Sequence, residues 1–306
     1  RRIKATLKGA GAILKKFQPH LVFTGTSSGV NIEKVLAKAA RAMRIPTVAM
    51  LDSWVNYRFQ FSWNDAGTFT EEELPDYILV LDEIAKREMI VEGFPPEKLI
   101  ITGNPFFESF KKFPPVKKRR KPVAVFADQH FSELIKGGVH EDLGFTEQEV
   151  FADFTEALAV LGWEGKVIIK FHPGSNDWSR FDGIMKKSVI PVGKASKEES
   201  TEALVKKASF VLGMNSMVLF EAALRGKIVV SYEPHLVSKV DPLMSNRLGL
   251  SYASYTRDEL KAALREAMKG KSPHREQQKI IQRYVQSGAT KKVLASLSKI
   301  ISNNEA

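Results

Sequence analysis

In the stretch Val211-Leu212-Gly213-Met214-Asn215-Ser216, an apolar β-branched run ends in small polar residues, and an amphipathic run follows through Glu221 and Ala222 to Gly226. The pattern predicts a strand that turns at Gly213 and a helix capped by Asn215 or Ser216. The unpaired N–H groups of such a helix start carry about half a positive charge, which suits a pyrophosphate. Glu221 falls on the second helical turn and leans back toward the helix start, where a carboxylate accepts hydrogen bonds from ribose hydroxyls. An ordinary capped helix with an exposed Glu reads the same way, and both readings stand on pattern alone.

Two other strand ends carry histidines. Val167-Ile168-Ile169-Lys170-Phe171 runs into His172-Pro173-Gly174-Ser175. That turn holds an imidazole able to donate to a phosphate, as well as being an ordinary tight turn. After Val123–Ala127, the residues Asp128, His130 and Ser132 occupy the equivalent place, where His130 is positioned to meet a substrate. Nearer the start, Leu51-Asp52-Ser53-Trp54-Val55-Asn56-Tyr57-Arg58 combines a carboxylate, aromatics expected to be exposed, and a cation. Such a set fits a sugar acceptor, with Asp52 as the general base or, equally, as the cap of a turn. Thr24-Gly25-Thr26-Ser27-Ser28-Gly29 has the glycines of an anion-cradling turn but no Walker lysine. Ile101-Thr102-Gly103-Asn104-Pro105 reads as turn chemistry.

The chain has no cysteine, which excludes disulfides, thiolate metal sites and cysteine nucleophiles and fits a reducing compartment. Histidines and carboxylates occur without metal-ligand spacing, so no metal and no other cofactor is expected. Zincin, EF-hand, nucleophile-elbow and kinase motifs are all absent from the sequence.

The elements that must position these residues alternate between β-branched runs and stretches of helical period, the signature of a parallel α/β sheet. In the first part, strands are predicted at 21–24, 46–51, 77–81 and 99–102, with helices at 31–44 and 84–92. Ile3, Leu7, Leu14 and Phe17 form a stripe between Lys4, Lys8, Lys15 and Lys16, so the opening helix either covers the sheet or lies on an anionic membrane. The second part restarts with strands at 123–127, 167–171, 210–213 and 228–232. Its helices are predicted at 146–161, 178–187, 198–207, 216–225 and 257–269. Between the parts, Pro114-Pro115 and five consecutive cations (Lys117–Lys121) followed by Pro122 read as a linker. The tail after 273 reads as helices broken near Ser287-Gly288.

With 306 residues, 43% hydrophobic and 26% charged, the chain fits two globular domains. The expected division is an acceptor domain 1–113, a linker 114–122, a nucleotide-sugar domain 123–272 and C-terminal helices 273–306. No apolar run reaches the roughly 18 residues of a membrane span. The net charge of +11 favours an anionic partner, but scattered cations without a recognition motif do not point to nucleic acid.

The ordered segments LVFTGTSSG, TVAMLDSW, LIITGNP, VIIKFHPGS and GMNSMVLFEAALRGKIVVSYEP resemble the GT-B glycosyltransferases and their relative UDP-N-acetylglucosamine 2-epimerase. CDP-glycerol glycerophosphotransferases share that layout. The resemblance spans nearly the whole chain and is specific chiefly in its second half. It implies two Rossmann-like domains facing a cleft, with phosphate contacts at His172, Asn215 and Ser216 and ribose contacts at Glu221, to which the strand-end positions of His130 and Gly213 add two further candidates for nucleotide binding. The first domain would hold a glycan, lipid-linked or small-molecule acceptor beside Asp52 and Trp54, with Ser27 and Asn56 as further candidate acceptor contacts at the strand ends, and a C-terminal helix would cross back to it. The first domain looks short by one or two βα units, and the start on Arg1 suggests residues upstream. The epimerases carry a strand-end Gly-Asp-Thr and a following Glu-Ala-Gly, and this chain has Gly25-Thr26-Ser27 and Leu51-Asp52-Ser53 there. With the first carboxylate absent, the resemblance implies metal-independent sugar transfer from a nucleoside diphosphate donor, in a cytoplasmic protein able to touch the membrane. Epimerisation and non-catalytic nucleotide or glycan binding are the alternatives.

Overall fold

The computed structural model describes residues 6–27, 29–64, 67–113, 121–136, 143–238, 240–273 and 276–305. The basic proline-rich stretch 114–120, together with Ile3, Lys4 and Ser28, lies outside the described residues. The chain forms two compact α/β units: Arg1–Ser109 with Gln286–Ala306, and Phe110–Val285.

The first unit runs α1 (Leu7–Phe17), β1 (Val22–Thr24), α2 (Ile32–Ala42), β2 (Thr47–Met50), α3 (Tyr57–Phe61), β3 (Tyr77–Val80), α4 (Glu83–Val91), β4 (Leu99–Ile101) and α5 (Pro105–Glu108). Its four strands are parallel in the order β1-β2-β3-β4. The order never reverses, so this sheet creates no crevice of the kind found at a topological switch point. Polar caps start the helices: Asn31, the expected cap, accepts from the Lys34 N–H at 3.1 Å, and Asp82 accepts from the Ala85 N–H at 2.8 Å. In α1 the buried face is Ala10 and Leu14, whereas Leu7 and Phe17 are exposed. Phe17 is the last helical residue, and Gln18 closes the helix in a left-handed conformation.

The second unit contains β5 (Val123–Ala127), α6 (Phe131–Lys136), α7 (Glu147–Val160), β6 (Lys166–Lys170), α8 (Asp182–Lys187), β7 (Val192–Lys194), α9 (Thr201–Lys207), β8 (Phe210–Gly213), α10 (Met217–Leu224), β9 (Ile228–Tyr232), α11 (Met244–Arg247), β10 (Tyr252–Ser254), α12 (Arg257–Met268) and α13 (Gln277–Val285). Its six parallel strands lie in the order β10-β9-β8-β5-β6-β7, which reverses between β5 and β8. The sheet is buried on both faces, so its central strands are apolar throughout rather than alternating. Phe126, Phe151, Phe154 and Phe181 are fully buried together, each worth about 1.5–3 kcal/mol of apolar burial. Asp153 on α7 accepts from the Tyr232 hydroxyl at 2.8 Å and from Arg257 Nε at 3.0 Å, tying α7, β9 and the first turn of α12 together. Phe110 and Phe113 lie under the Arg225 guanidinium at 4.0 and 5.0 Å, so the second unit begins ahead of the basic stretch.

The last helix, α14 (Ala289–Glu305), packs in the first unit, where Val293 and Ile300 meet Val48 and Leu79. Gly103 has φ +80°, and a Cβ there would stand 3.1 Å from that of Ala289. The turn before α5 therefore requires glycine for both its conformation and the approach of α14.

Candidate nucleotide-binding site

The strand register in the second unit puts Lys170, Ala127 and Gly213 in one row across β6, β5 and β8. Ligands of open parallel sheets bind beyond the carboxyl ends of the strands where the order reverses, which here is between β5 and β8. Beyond that row lie Asp128 to His130, His172 to Ser175, and Asn215 with Ser216. Gly213 is dictated by packing, because a Cβ would sit 3.0 Å from the Ala127 carbonyl and 2.8 Å from Leu219 Cδ1.

His130 and His172 stack, with ring centroids 4.2 Å apart and planes 18° from parallel. The Gly174 N–H donates to His172 Nδ1 at 3.0 Å, which fixes the neutral tautomer with its proton on Nε2. Burial, helped by the charge of His130, lowers the His172 pKa, so the ring stays neutral and donates. A Cβ on Gly174 would stand 3.1 Å from His130 Nε2 and 3.2 Å from His172 Nδ1, so a larger residue there would press on the stacked rings. His130 Nδ1 is buried without a hydrogen-bond partner.

The two histidine-bearing loops are cross-linked by Arg180. One guanidinium nitrogen bonds Asp128 and, at 2.8 Å, the Gln129 carbonyl. The other reaches Ser175 Oγ at 2.5 Å and Glu133 at 3.2 Å. Burial pushes the Asp128 carboxyl up to about 7, against the pull of Arg180. Burial also opposes ionisation of Glu133, but hydrogen bonds from Asn176, Ser175 and Asp177 outweigh it and the pKa is lowered.

Ser216, not Asn215, caps α10, its hydroxyl accepting from the Val218 N–H at 3.3 Å. Asn215 is half-buried beside it. Glu221 is half-buried as well. Burial raises its pKa, with Arg225 opposing and Glu202 adding to the rise. Beyond the switch-point row thus lie a neutral imidazole donor and the capped start of α10, with a half-buried carboxylate on the second turn of that helix.

In the first unit the structure corrects one expectation. Trp54 is not an exposed acceptor platform: it is 3% exposed, its Nε1 donates to Asp82 at 2.9 Å, and its ring stacks on Phe107. Tyr57 is equally buried, its hydroxyl donating to Glu88. The large apolar area of both rings goes to the core between α3, α4 and α5. Asn56 is exposed and occupies a left-handed conformation that asparagine tolerates, without a capping bond. Asp52 is exposed at the end of β2, yet partial enclosure of its carboxyl raises the pKa and Glu33 adds repulsion. Ser27 donates to Glu33 at 2.6 Å and accepts from Asn31 at 2.7 Å.

Glu33 escaped the sequence reading. A Cβ on Gly25 would stand 3.0 Å from its Oε1, so α2 delivers a carboxylate to the loop after β1, where none was expected. Its signal was the helix start itself, two residues beyond the Asn31 cap. Glu233 was missed too. It follows β9, is 1% exposed, and neither carboxyl oxygen has a hydrogen-bond partner. Asp241, whose charge bears on it, lines a recess of about 380 Å³ with His235, Leu236, Ser238 and Tyr255. Among the described residues, no three His, Asp or Glu side chains come together as a metal site, and no helix is long and apolar enough to cross a membrane.

The sequence matches no family model and no curated protein. Solved structures do match. UDP-GlcNAc 2-epimerase from Neisseria meningitidis, bound to UDP-GlcNAc, superposes with a TM-score of 0.60 at 14% identity, over 96% of this chain and 80% of that one. The Methanocaldococcus jannaschii UDP-GlcNAc 2-epimerase in complex with UDP-GlcNAc and UDP gives 0.52 at 16% identity, over 92% and 80%. The lipopolysaccharide outer core galactosyltransferase WaaB gives 0.57 at 15% identity, over 96% and 79%. This chain has the GT-B fold. At these identities the likeness concerns architecture, and the side chains above carry the chemistry.

Proposed function

We propose that the protein binds a nucleoside diphosphate sugar at the switch point of its second unit and transfers the sugar to a hydroxyl acceptor. The observation that carries this reading is the His130–His172 stack, whose Nε2–H donor lies beyond the same strand row as the capped start of α10. Diphosphate oxygens would take bonds from His172 Nε2–H and the α10 N–H groups, and Glu221 would accept from ribose hydroxyls. Donors fixed in place before reaction stabilise charge that builds on the departing diphosphate. His172 would act in that way, and the transfer calls for no metal. Asp52 is the proposed base, its raised pKa lying closer to the working range of a base. A lipid-linked acceptor agrees with Lys8, Lys15 and Lys16 on α1 beside exposed Leu7 and Phe17.

A second reading, epimerisation of the bound sugar, is favoured by Glu33. Its carboxylate at the loop after β1, coupled to Asp52, supplies the pair of acid/base groups that proton removal and return require.

A thermal-shift panel of UDP, CDP and GDP tests the shared premise. Stabilisation by one of them, lost in both His172→Ala and Glu221→Ala, is expected; no response to any of the three ends both readings. Incubation with donor sugar alone then separates them, since a change in the sugar's stereochemistry means epimerisation and acceptor-dependent release means transfer.

A further inference from the structure

Arg180 is the residue most easily mistaken for a phosphate ligand. It lies in the loop leading into α8, close to both histidines in the fold, and it is a cation in a chain expected to bind an anion. Its geometry says otherwise. The side chain is only 4% exposed, and both terminal nitrogens are already occupied by protein acceptors. Its plane is pressed against aromatic rings, 5.0 Å from the Phe181 centroid and 5.6 Å from that of Phe171. The remaining nitrogen, Nε, is buried without a hydrogen-bond partner, so no face of the guanidinium is open to a ligand from solvent.

What the fork does hold is the relation between two loops. On one side it grips Asp128 and the Gln129 carbonyl, the residues immediately before His130. On the other it grips Ser175, three residues after His172, and the Asp177 carbonyl at 2.5 Å. Glu133 closes the web from α6, accepting from Arg180 and from the Ser175 hydroxyl at 2.9 Å. Each histidine is therefore anchored through a neighbour to the same planar group. A guanidinium presents its donors in a rigid fork, so it can impose a fixed spacing where a lysine ammonium cannot.

We infer that Arg180 is a positioning residue: it holds the loops after β5 and β6 in register so that His130 and His172 stack and His172 keeps its Nε2–H turned to the ligand. The inference deepens the proposed nucleotide site and rests on that reading for the ligand, but the arrangement of the imidazoles is measurable without any ligand.

Arg180→Lys keeps a cation beside the buried Asp128 while removing the fork. The experiment combines ¹⁵N spectra of the histidine rings in the ligand-free full chain with UDP titration by calorimetry. In the wild type, His172 is expected to show a single neutral tautomer protonated on Nε2. In Arg180→Lys it is expected to populate both tautomers, with UDP affinity lowered at least tenfold. Should Arg180→Lys fail to fold, Glu133→Ala severs the α6 side of the web at a partner that is 27% exposed, and a smaller change in the same direction is expected. Unchanged ring spectra in a folded variant overturn the inference. Lost UDP affinity with unchanged spectra also overturns it, since Arg180 would then act on the ligand directly. If wild-type protein binds no nucleoside diphosphate, the proposed function fails while the ring spectra still decide the role of Arg180.

Discussion

Glu233 shows how differently single residues yield to a reading from sequence. Nothing in Val230-Ser231-Tyr232-Glu233-Pro234 marks its carboxyl as buried, because its surroundings are the end of β10, whose Ser254 carbonyl accepts from the Glu233 N–H, and the loop bearing Asp241, which are apart in sequence. Burial, with repulsion from Asp241, pushes Glu233 up to about 8. The folded protein therefore holds a proton there that the unfolded chain releases near the ordinary Glu value of about 4.3. This contribution to stability is fully present below the unfolded value and is lost as pH rises through 8. Urea unfolding of the wild type at successive pH values is expected to show stability falling across that window. In Glu233→Gln the fall should be much reduced; a variant that declines as steeply as the wild type would place the proton elsewhere. Trp54 failed in the opposite direction. An aromatic after a strand reads as a sugar platform only if it is exposed, and that is decided by Phe107 and Asp82, both well over twenty residues away. The tight turn at His172 and the helix cap at Ser216 were legible because they depend on local signals, a His-Pro-Gly sequence and a serine at a helix start.

At the scale of elements, long periodic segments such as α7 and α12 were legible end to end, since each carries a polar cap and an apolar face of several turns. The strands missed were β7 and β10, three residues each at the two edges of the second sheet, too short for any period to register. α5 was also missed, because Gly103-Asn104-Pro105 is turn chemistry and the helix after it has only four residues. Its role appears only in three dimensions. Glu108, its last residue, accepts from the Ala289 N–H at 2.7 Å, the Thr290 N–H at 2.9 Å and the Thr290 hydroxyl at 2.6 Å. These bonds, with that of the Thr290 hydroxyl foremost, lower the Glu108 pKa and give α14 a cap from outside its own sequence. Removing a cap costs about 0.5–2 kcal/mol. Glu108→Ala is expected to destabilise the protein by about 1 kcal/mol in urea unfolding, with the N-terminal amides of α14 losing hydrogen-exchange protection first. Unaltered protection at 289 and 290 would mean that the cap contributes nothing.

Over the whole molecule, the sequence announced two α/β halves through its alternation of periods, and the structure bears out that architecture. Chain order, however, is not domain order. The second unit is one continuous segment, Phe110–Val285, whereas the first is assembled from both ends of the chain. The two therefore differ in what a cut would do. The second unit contains its own apolar core and the whole proposed nucleotide site, and no residue named in either belongs to the other unit. The first unit depends on α14, because Val293 and Ile300 cover Val48 and Leu79 of its central strands and Ala289 fills the turn at Gly103. Losing that helix would expose apolar sheet surface at roughly 25 cal/mol for each Å² returned to water, a large share of the 5–15 kcal/mol that holds a typical domain together. Two fragments test this asymmetry. Residues 110–285 expressed alone are expected to unfold cooperatively and to respond to the same nucleoside diphosphate as the full chain. Residues 1–109 alone are expected to lack a cooperative transition and to gain one when a peptide covering 286–306 is supplied. Cooperative unfolding of 1–109 without that peptide would show that the four-stranded sheet needs no cover from α14.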